Sequence, residues 1–239
     1  MTFDRISRLL FACLSLLITI GVGACSSTNA APWQFSLPDE YSKISAHEKH
    51  NRASHYGAID SDKFPISAID TTELAERNLR QSVDFPTNEQ PGTIVVDTDN
   101  RFLYLVQEQG KALRYGIGVG VDGLEFKGSA VVGYKREWPR WTPTENMIQR
   151  NPKLYANLRG GVDGGPKNPL GARALYLFKD GNDTLYRIHG TSEPRTIGKA
   201  VSSGCIRMLN HDVIDLHRRV PSGSKVVVLE RAARMASRS

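Results

Sequence analysis

The chain has 239 residues, of which 40% are hydrophobic, and a formal net charge of +6. This length allows one medium-sized domain with a packed core and an additional tether. Beyond residue 24, no apolar run approaches the ~20 residues that span a bilayer. The positive charge suits an anionic polymer, a lipid surface or simply a solvated basic face. The sequence has no Lys/Arg cluster with interleaved aromatic residues, so it does not indicate a nucleic-acid partner.

The N-terminus predicts export. Residues 1–24 combine two early arginines with the apolar run Leu9–Ile20, the pattern of a secretory signal peptide. The sequence Val22-Gly-Ala-Cys25 resembles a bacterial lipobox, which predicts that Cys25 is lipidated and becomes the first residue of the mature chain. Ordinary signal peptidase cleavage near Ala24 or Ala30–Ala31 is the alternative, and it would release the protein without an anchor.

The rest of the chain divides by composition. Residues 25–65 are polar, with scattered histidines whose spacing fits no metal site, and they predict a flexible tether. Residues 66–91 form a lead-in with a helical pattern over Asp70–Gln81, which Thr71 or Thr72 would cap. Residues 92–230 carry the main domain, and residues 231–239 form a basic tail.

The main domain has the pattern of short strands separated by turns, which predicts a mainly β fold, a β-sandwich or barrel with one or two short helices. The long stretch 136–171 is rich in Gly and Pro and is predicted to be irregular. Its Trp138 and Trp141 either line a binding cleft or cover the edge of the core. Asn210 is predicted to cap a helix over His211–Arg219. The predicted strands are Thr93–Val96, Phe102–Val106, Ala112–Val119, Ser129–Lys135, Ala172–Phe178, Thr184–His189 and Lys225–Leu229.

One segment contains the candidate catalytic residues. His189 lies sixteen residues before Cys205, and Gly190, Ser202, Ser203 and Gly204 provide small residues around them. Removal of the signal and lipidation of Cys25 would leave Cys205 as the one free thiol of an exported protein, where an unused thiol is a liability. The pattern predicts acyl transfer through a thioester, with His189 moving the proton and backbone amides holding the oxyanion. Pairing with an imidazolium would lower the pKa of the thiol.

Structural alternatives exist for these residues. Cys205 would be an inert core thiol if it were buried among apolar side chains, and His189 would be a core histidine satisfied by the backbone. A zinc site of Cys205, His211 and His217 is disfavoured because positions 211 and 217 fall nearly opposite on one helix. His211 is expected to be exposed near the helix start.

The segment resembles the catalytic domain of the L,D-transpeptidase (YkuD) family. The resemblance rests on strand-His189-Gly190, a loop, and Ser-x-Gly204-Cys205-hydrophobic-Arg207, and it extends to Trp138–Pro143 and Asn168–Gly171 as in Gram-negative members. The family often has a histidine where this chain has Ser203, and some members have asparagine at the position of Arg207.

The resemblance implies peptidoglycan chemistry without a metal or nucleotide cofactor. Cys205 would attack a tetrapeptide stem, D-Ala would leave, and an amine of another stem, a free D-amino acid or an envelope protein would accept the acyl group. Ser203, Gly204 and Gly190 are oxyanion or loop candidates, and Arg207, Ser202, Trp138 and Trp141 are substrate-binding candidates. A hydrolase of the same type and a non-enzymatic wall-binding module remain alternatives. The lipid anchor would place the protein on the periplasmic side of the envelope, at the outer membrane.

Overall fold

The computed structural model describes residues 53–120, 127–202 and 204–229, without the side chains of 201 and 202. The predicted signal peptide, Cys25, most of the predicted tether and the basic tail lie outside these residues. Within them, no helix is long and apolar enough to cross a membrane.

Eleven strands are found in the described part of the chain, and nine of them form one sheet. The order in this sheet is β1-β4-β3-β2-β11-β6-β7-β8-β10, and β5 and β9 form a separate parallel pair. The strands are β1 Gln81–Asp84, β2 Ile94–Asp97, β3 Phe102–Val106, β4 Lys111–Gly116, β5 Val119–Gly120, β6 Gly128–Glu137, β7 Arg173–Lys179, β8 Asn182–Thr191, β9 Ala200–Ser202, β10 Ile206–Leu209 and β11 Lys225–Val228.

Most neighbouring strands are antiparallel, but β11 runs parallel to β2 and β10 runs parallel to β8. The sheet curls until β10 meets the chain that follows β4. There Gly118 and Arg207 exchange backbone hydrogen bonds of 2.9 and 2.8 Å. This bridge satisfies backbone groups at the edge strand β10, which would otherwise present them unpaired.

The strands from β4 to β10, in sheet order, contribute to one hydrophobic cluster. Alternate strand residues point into it, as the period of two requires. Ile188 of β8 and Ile206 and Met208 of β10 belong to this cluster, together with Val213 and Leu216 of the helix α3 defined below. The mainly β prediction is therefore confirmed.

Three α-helices complete the described residues: α1 Glu145–Arg150, α2 Pro152–Tyr155 and α3 Asn210–Arg219. The segment 136–171 is thus less irregular than predicted, because Thr144 and Asn151 cap α1 and α2 through their side-chain oxygens. The helical pattern over Asp70–Gln81 is realised only in part. Two short 3-10 helices, Thr71–Glu73 and Glu76–Asn78, occupy this region, and β1 follows them.

The two predicted helix caps are wrong. Asp70, rather than either threonine, caps the first 3-10 helix by accepting a hydrogen bond from the backbone N–H of Thr72. Asn210 lies inside α3, and its Oδ1 accepts a 2.9 Å hydrogen bond from the backbone N–H of Ala172 at the start of β7. The side chain of Asn210 therefore joins the helix to the sheet.

The last residues of the predicted tether are packed against the domain. The buried Tyr56 donates a 3.1 Å hydrogen bond to the buried carboxylate of Asp212 in α3 and accepts one of 2.7 Å from the backbone of Arg80. Burial raises the pKa of Asp212 to about 7, against the charge of Arg80 and the Tyr56 hydrogen bond. His211 is buried rather than exposed, and its Nε2 lies 2.8 Å from the Gly57 carbonyl.

A second buried contact joins the end of the predicted tether to the sheet. The carboxylate of Asp62 pairs with Arg173 of β7 at 2.6 Å and accepts a 2.7 Å hydrogen bond from the indole N–H of Trp138. Both charged side chains are more than 90% shielded from solvent. Removing one partner of such a pair leaves the other charge buried without compensation, which costs more than the pair itself contributes.

We therefore expect Asp62→Asn to lower the free energy of unfolding by about 2 to 3 kcal/mol. The matched control is Asp84→Asn, because Asp84 pairs with Lys111 on the surface and its side chain is 83% exposed. The control should change stability by less than about 1 kcal/mol. Chemical denaturation of the two variants and the wild type measures both values. Equal losses in the two variants would contradict a structural role for the buried pair.

Candidate active site

Strand β8 fixes His189 on the face of the sheet opposite the core. Its neighbour Ile188 points into the hydrophobic cluster, so the alternation of the strand turns His189 to the other side. The imidazole is nevertheless only 5% exposed, since surrounding side chains cover it.

The tautomer of His189 follows from its hydrogen bond. Nδ1 lies 2.7 Å from the carbonyl oxygen of Gly190, and a carbonyl can only accept. Nδ1 therefore carries the proton in the neutral ring, and Nε2 presents a lone pair. Burial lowers the pKa of His189 to about 4. The Gly190 hydrogen bond opposes this shift, and the charges of Arg207 and Arg187 add to it. His189 is therefore a neutral base at physiological pH.

Cys205 immediately precedes β10, whose register is parallel to that of β8. Arg207 lies opposite His189, and Ile206 lies opposite Ile188. Two residues before Arg207, Cys205 continues the same face and lies beside Arg187, whose backbone makes a hydrogen bond to the thiol. Its Sγ is 4.0 Å from the carbonyl oxygen of Leu185. Cys205 and His189 are thus diagonal neighbours on one face of adjacent strands.

The surroundings of Cys205 favour the neutral thiol. Burial raises the pKa of Cys205, although the Arg187 backbone hydrogen bond and the charges of Arg187 and Arg207 oppose the shift. The sequence suggested a thiolate whose pKa an imidazolium lowers. Burial instead shifts the pKa of both groups toward their neutral forms. This arrangement suits general-base activation of the thiol during attack.

Arg187 is a residue that the sequence argument missed. Its guanidinium donates hydrogen bonds of 2.7 and 2.8 Å to the two carboxylate oxygens of Asp183 and one of 2.9 Å to the Tyr186 carbonyl. It also stacks 4.2 Å from the ring centroid of Tyr176 on β7. The available signal was its position two residues before His189, which puts both on one face of a strand.

The structure describes the candidate loop residues to different extents. Gly204 is buried and has a φ of 126°, a conformation that favours glycine next to the thiol. Gly190 has no space for a side chain, because a Cβ would lie 2.2 Å from Oδ1 of Asn210. Its carbonyl orients His189. Ser203 lies outside the described residues, and for Ser202 the structure describes only a place in β9.

The two candidate tryptophans lie in different environments. Trp138 is 5% exposed and packs with Ile66, Ala172 and Ile214, so it covers an edge of the core rather than lining a cleft. Trp141 is partly exposed, pairs through its backbone with Val162, and has its ring centroid 6.1 Å from that of Tyr155. Among the described residues, no three His, Cys, Asp or Glu side chains form a group that could hold a metal ion.

A comparison with known protein families gives a match for the main domain. The model of the YkuD family, the L,D-transpeptidase catalytic domain, matches residues 91–228, which are more than half of the chain. The chain therefore belongs to the L,D-transpeptidase family of the YkuD type.

Two relatives come from Escherichia coli (strain K12). The chain is 33% identical over 158 residues to the probable L,D-transpeptidase ErfK/SrfK, covering 65% of this chain and 49% of the relative. It is 31% identical over 155 residues to the probable L,D-transpeptidase YbiS, covering 64% of this chain and 49% of the relative. The chain thus spans about half the length of these curated relatives.

A solved structure from Brucella melitensis, described as a probable carnitine operon oxidoreductase caia, is 53% identical in sequence. The similarity covers 67% of this chain and 99% of that chain, with a TM-score of 0.46.

The electrostatics of the site predict opposite effects for two substitutions. Arg187→Met keeps the packing on Tyr176 but removes the positive charge beside Cys205, so alkylation of the thiol at pH 8 should slow about three- to tenfold. Asp183→Asn leaves the arginine without its counter-charge, and alkylation should accelerate. Peptide-resolved mass spectrometry of iodoacetamide labelling across a pH series measures the rate at Cys205 alone.

Arg136→Met is the matched control, because Arg136 stacks 5.2 Å from the ring centroid of Tyr134 at the far side of the Tyr134–Tyr176 stack. Its substitution should leave the rate unchanged. If Arg187→Met and Asp183→Asn shifted the rate in the same direction, the effect would be one of local structure rather than of charge.

Proposed function

We propose that the protein is a peptidoglycan L,D-transpeptidase in which Cys205 is the nucleophile and His189 the general base. The observation that carries the proposal is the shared face of β8 and β10, which presents Cys205 and His189 as diagonal neighbours, with Nε2 of the imidazole as the basic nitrogen. Membership of the family and the matching motif support the same reading.

The first half-reaction forms a thioester. The Cys205 proton moves to Nε2 of His189 as Sγ attacks the carbonyl between the third stem residue and the terminal D-Ala. Backbone amides near Gly204 and Cys205, with that of Ser203, hold the oxyanion. The imidazolium then returns the proton to the departing amine of D-Ala, and the acyl group remains on sulfur.

The second half-reaction transfers the acyl group to an amine. Neutral His189 takes a proton from the attacking amine, the amide bond forms, and the thiolate leaves and recovers its proton from the imidazolium. The low pKa of His189 supports this cycle, because the ring is neutral before each half-reaction. Trp141, Ser202 and Arg207 remain our candidates for contacts with the stem peptides.

Two other functions are alternatives, and the experiment described below tests them as well. A YkuD-type hydrolase would give the thioester to water, and a wall-binding module would form no thioester. No observation on the described residues favours either over transfer.

Intact-protein mass spectrometry after incubation with a tetrapeptide stem tests the proposal. The wild type should gain the mass of the stem minus D-Ala, and Cys205→Ala and Cys205→Ser should gain nothing while keeping the wild-type unfolding temperature. His189→Ala and His189→Asn should acylate about two to four orders of magnitude more slowly. An adduct on Cys205→Ala would refute the assignment, and the released products distinguish transfer from hydrolysis.

We also propose that Cys25 anchors the protein to a membrane, with the outer membrane as the site because Ser26 follows the cysteine. The polar residues after it would let the domain reach the wall from the periplasmic side. Stable anchoring requires more than one acyl chain.

Labelling with a radioactive fatty acid should mark the wild type in the membrane fraction, whereas Cys25→Ala should be unlabelled and remain outside that fraction or unprocessed. The Cys205→Ala variant is the control for a thiol that does not anchor, and it should label like the wild type. An unlabelled wild type in the soluble periplasmic fraction would overturn the anchor and leave the catalytic assignment intact.

A further inference from the structure

Two arginines flank the thiol, and their surroundings differ. Arg187 is held by both oxygens of Asp183, by the Tyr186 carbonyl and by the Tyr176 ring. Its side chain is 13% exposed. An incoming carboxylate would have to displace a bidentate pair to reach it, so Arg187 is a positioning residue with little capacity for a ligand.

Arg207 is open by comparison. Among the described residues its one ion pair joins Nη1 to Oε2 of Glu193 at 3.3 Å, and the Glu193 side chain is 67% exposed. The Arg207 side chain is 23% exposed, and a single contact whose carboxylate faces solvent contributes little. Among the described residues, one of the five N–H donors of Arg207 has a side-chain partner, at Glu193.

The position of this pair relates it to the chemistry. Arg207 lies directly opposite His189 in the β8–β10 register, on the face that carries Cys205. Glu193 follows β8 and precedes the 3-10 helix Pro194–Thr196, so its carboxylate reaches the same face from the adjoining loop. The guanidinium of Arg207 and the solvent-facing carboxylate of Glu193 thus lie side by side near His189.

We propose that Arg207 and Glu193 form the acyl-acceptor subsite and bind the zwitterionic head of an α-amino acid, with its carboxylate on Arg207 and its ammonium on Glu193. The proposal rests on the proposed function, because the acceptor amine attacks the thioester on Cys205. The carboxylate and the ammonium of an α-amino acid are attached to one carbon. They are therefore close enough together to contact Arg207 and Glu193, whose side chains contact each other.

The proton balance agrees with this arrangement. An ammonium must lose two protons to become an amide N–H. One passes through Nε2 of His189 to the departing thiolate, and Glu193 receives the other and releases it to solvent. A free D-amino acid fits this subsite, as does the side-chain end of diaminopimelate, where amine and carboxylate share a carbon. The side chain of a protein lysine does not, because its amine has no neighbouring carboxylate.

Acceptor competition on the full mature protein tests the subsite. The tetrapeptide donor is supplied with an equimolar mixture of D-phenylalanine and D-phenylalaninamide, and mass spectrometry quantifies both products and the Cys205 adduct. The amide has the less basic amine and reacts faster wherever the carboxylate is not recognised. The wild type should nevertheless prefer D-phenylalanine by about tenfold or more, the scale of a charge-assisted hydrogen bond.

Arg207→Gln should reduce this preference to about twofold or less. Glu193→Gln should slow the use of both acceptors about tenfold and keep the preference, because both acceptors carry the ammonium. Glu73→Gln is the matched control, because Glu73 forms a surface pair at 3.1 Å with Arg195 and lies outside β8 and β10. The control should keep the wild-type preference.

The outcomes separate the two proposals. A Cys205 adduct with equal use of both acceptors by the wild type overturns the subsite alone. An unchanged preference in Arg207→Gln does the same, as does undiminished use of both acceptors by Glu193→Gln. Absence of any adduct overturns the proposed function and the subsite with it. Loss of preference in Arg207→Gln and slower use of both acceptors by Glu193→Gln, with neither change in Glu73→Gln, support the subsite.

Discussion

The parallel pairing of β8 with β10 is the constraint on which the rest of the site depends. Because the two strands run in the same direction, His189 and Arg207 lie side by side and Cys205 enters the same face two residues earlier. The opposite faces of both strands are anchored in the core by Ile188 and Ile206. A slip of one residue would turn the reactive side chains into the core, so the apolar pattern and the chemistry hold the same register.

Burial shifts the titration of both candidate catalytic residues. It raises the pKa of Cys205 and lowers that of His189, and both shifts favour the neutral forms. The two arginines differ in their contacts: Asp183 and Tyr176 hold Arg187, whereas Arg207 has a single ion pair, with the exposed Glu193, among the described residues. The face of β8 and β10 thus carries one tightly held arginine and one that is held by a single contact.

The structural unit extends beyond the residues that the family model matches. Tyr56 reaches Asp212 in α3, and Asp62 reaches Arg173 in β7, although both tyrosine and aspartate precede residue 91. These contacts hold the helix that follows β10 and the strand that adjoins β8. These last tether residues therefore stabilise the elements on either side of the β8–β10 face. Without them Asp212 would lose the Tyr56 hydrogen bond, and Arg173 would keep one ion pair, at 3.6 Å with the exposed Glu137.

The sequence by itself determined most of the strand segments and the mainly β class, because alternation and turn residues are local signals, and its His-Gly and Ser-x-Gly-Cys patterns identified His189 and Cys205 as candidates. Only the tertiary structure decided what depends on distant contacts. Asn210 accepts a hydrogen bond from the backbone of Ala172, just before β7, instead of capping its helix, and Trp138 at the edge of the core donates one to Asp62. The position of Arg187 two residues before His189 was readable in the sequence, but its contacts with Asp183 and Tyr176 depend on the fold. Burial, which a sequence does not display, raises the pKa of Cys205 and lowers that of His189, and both shifts favour the neutral forms.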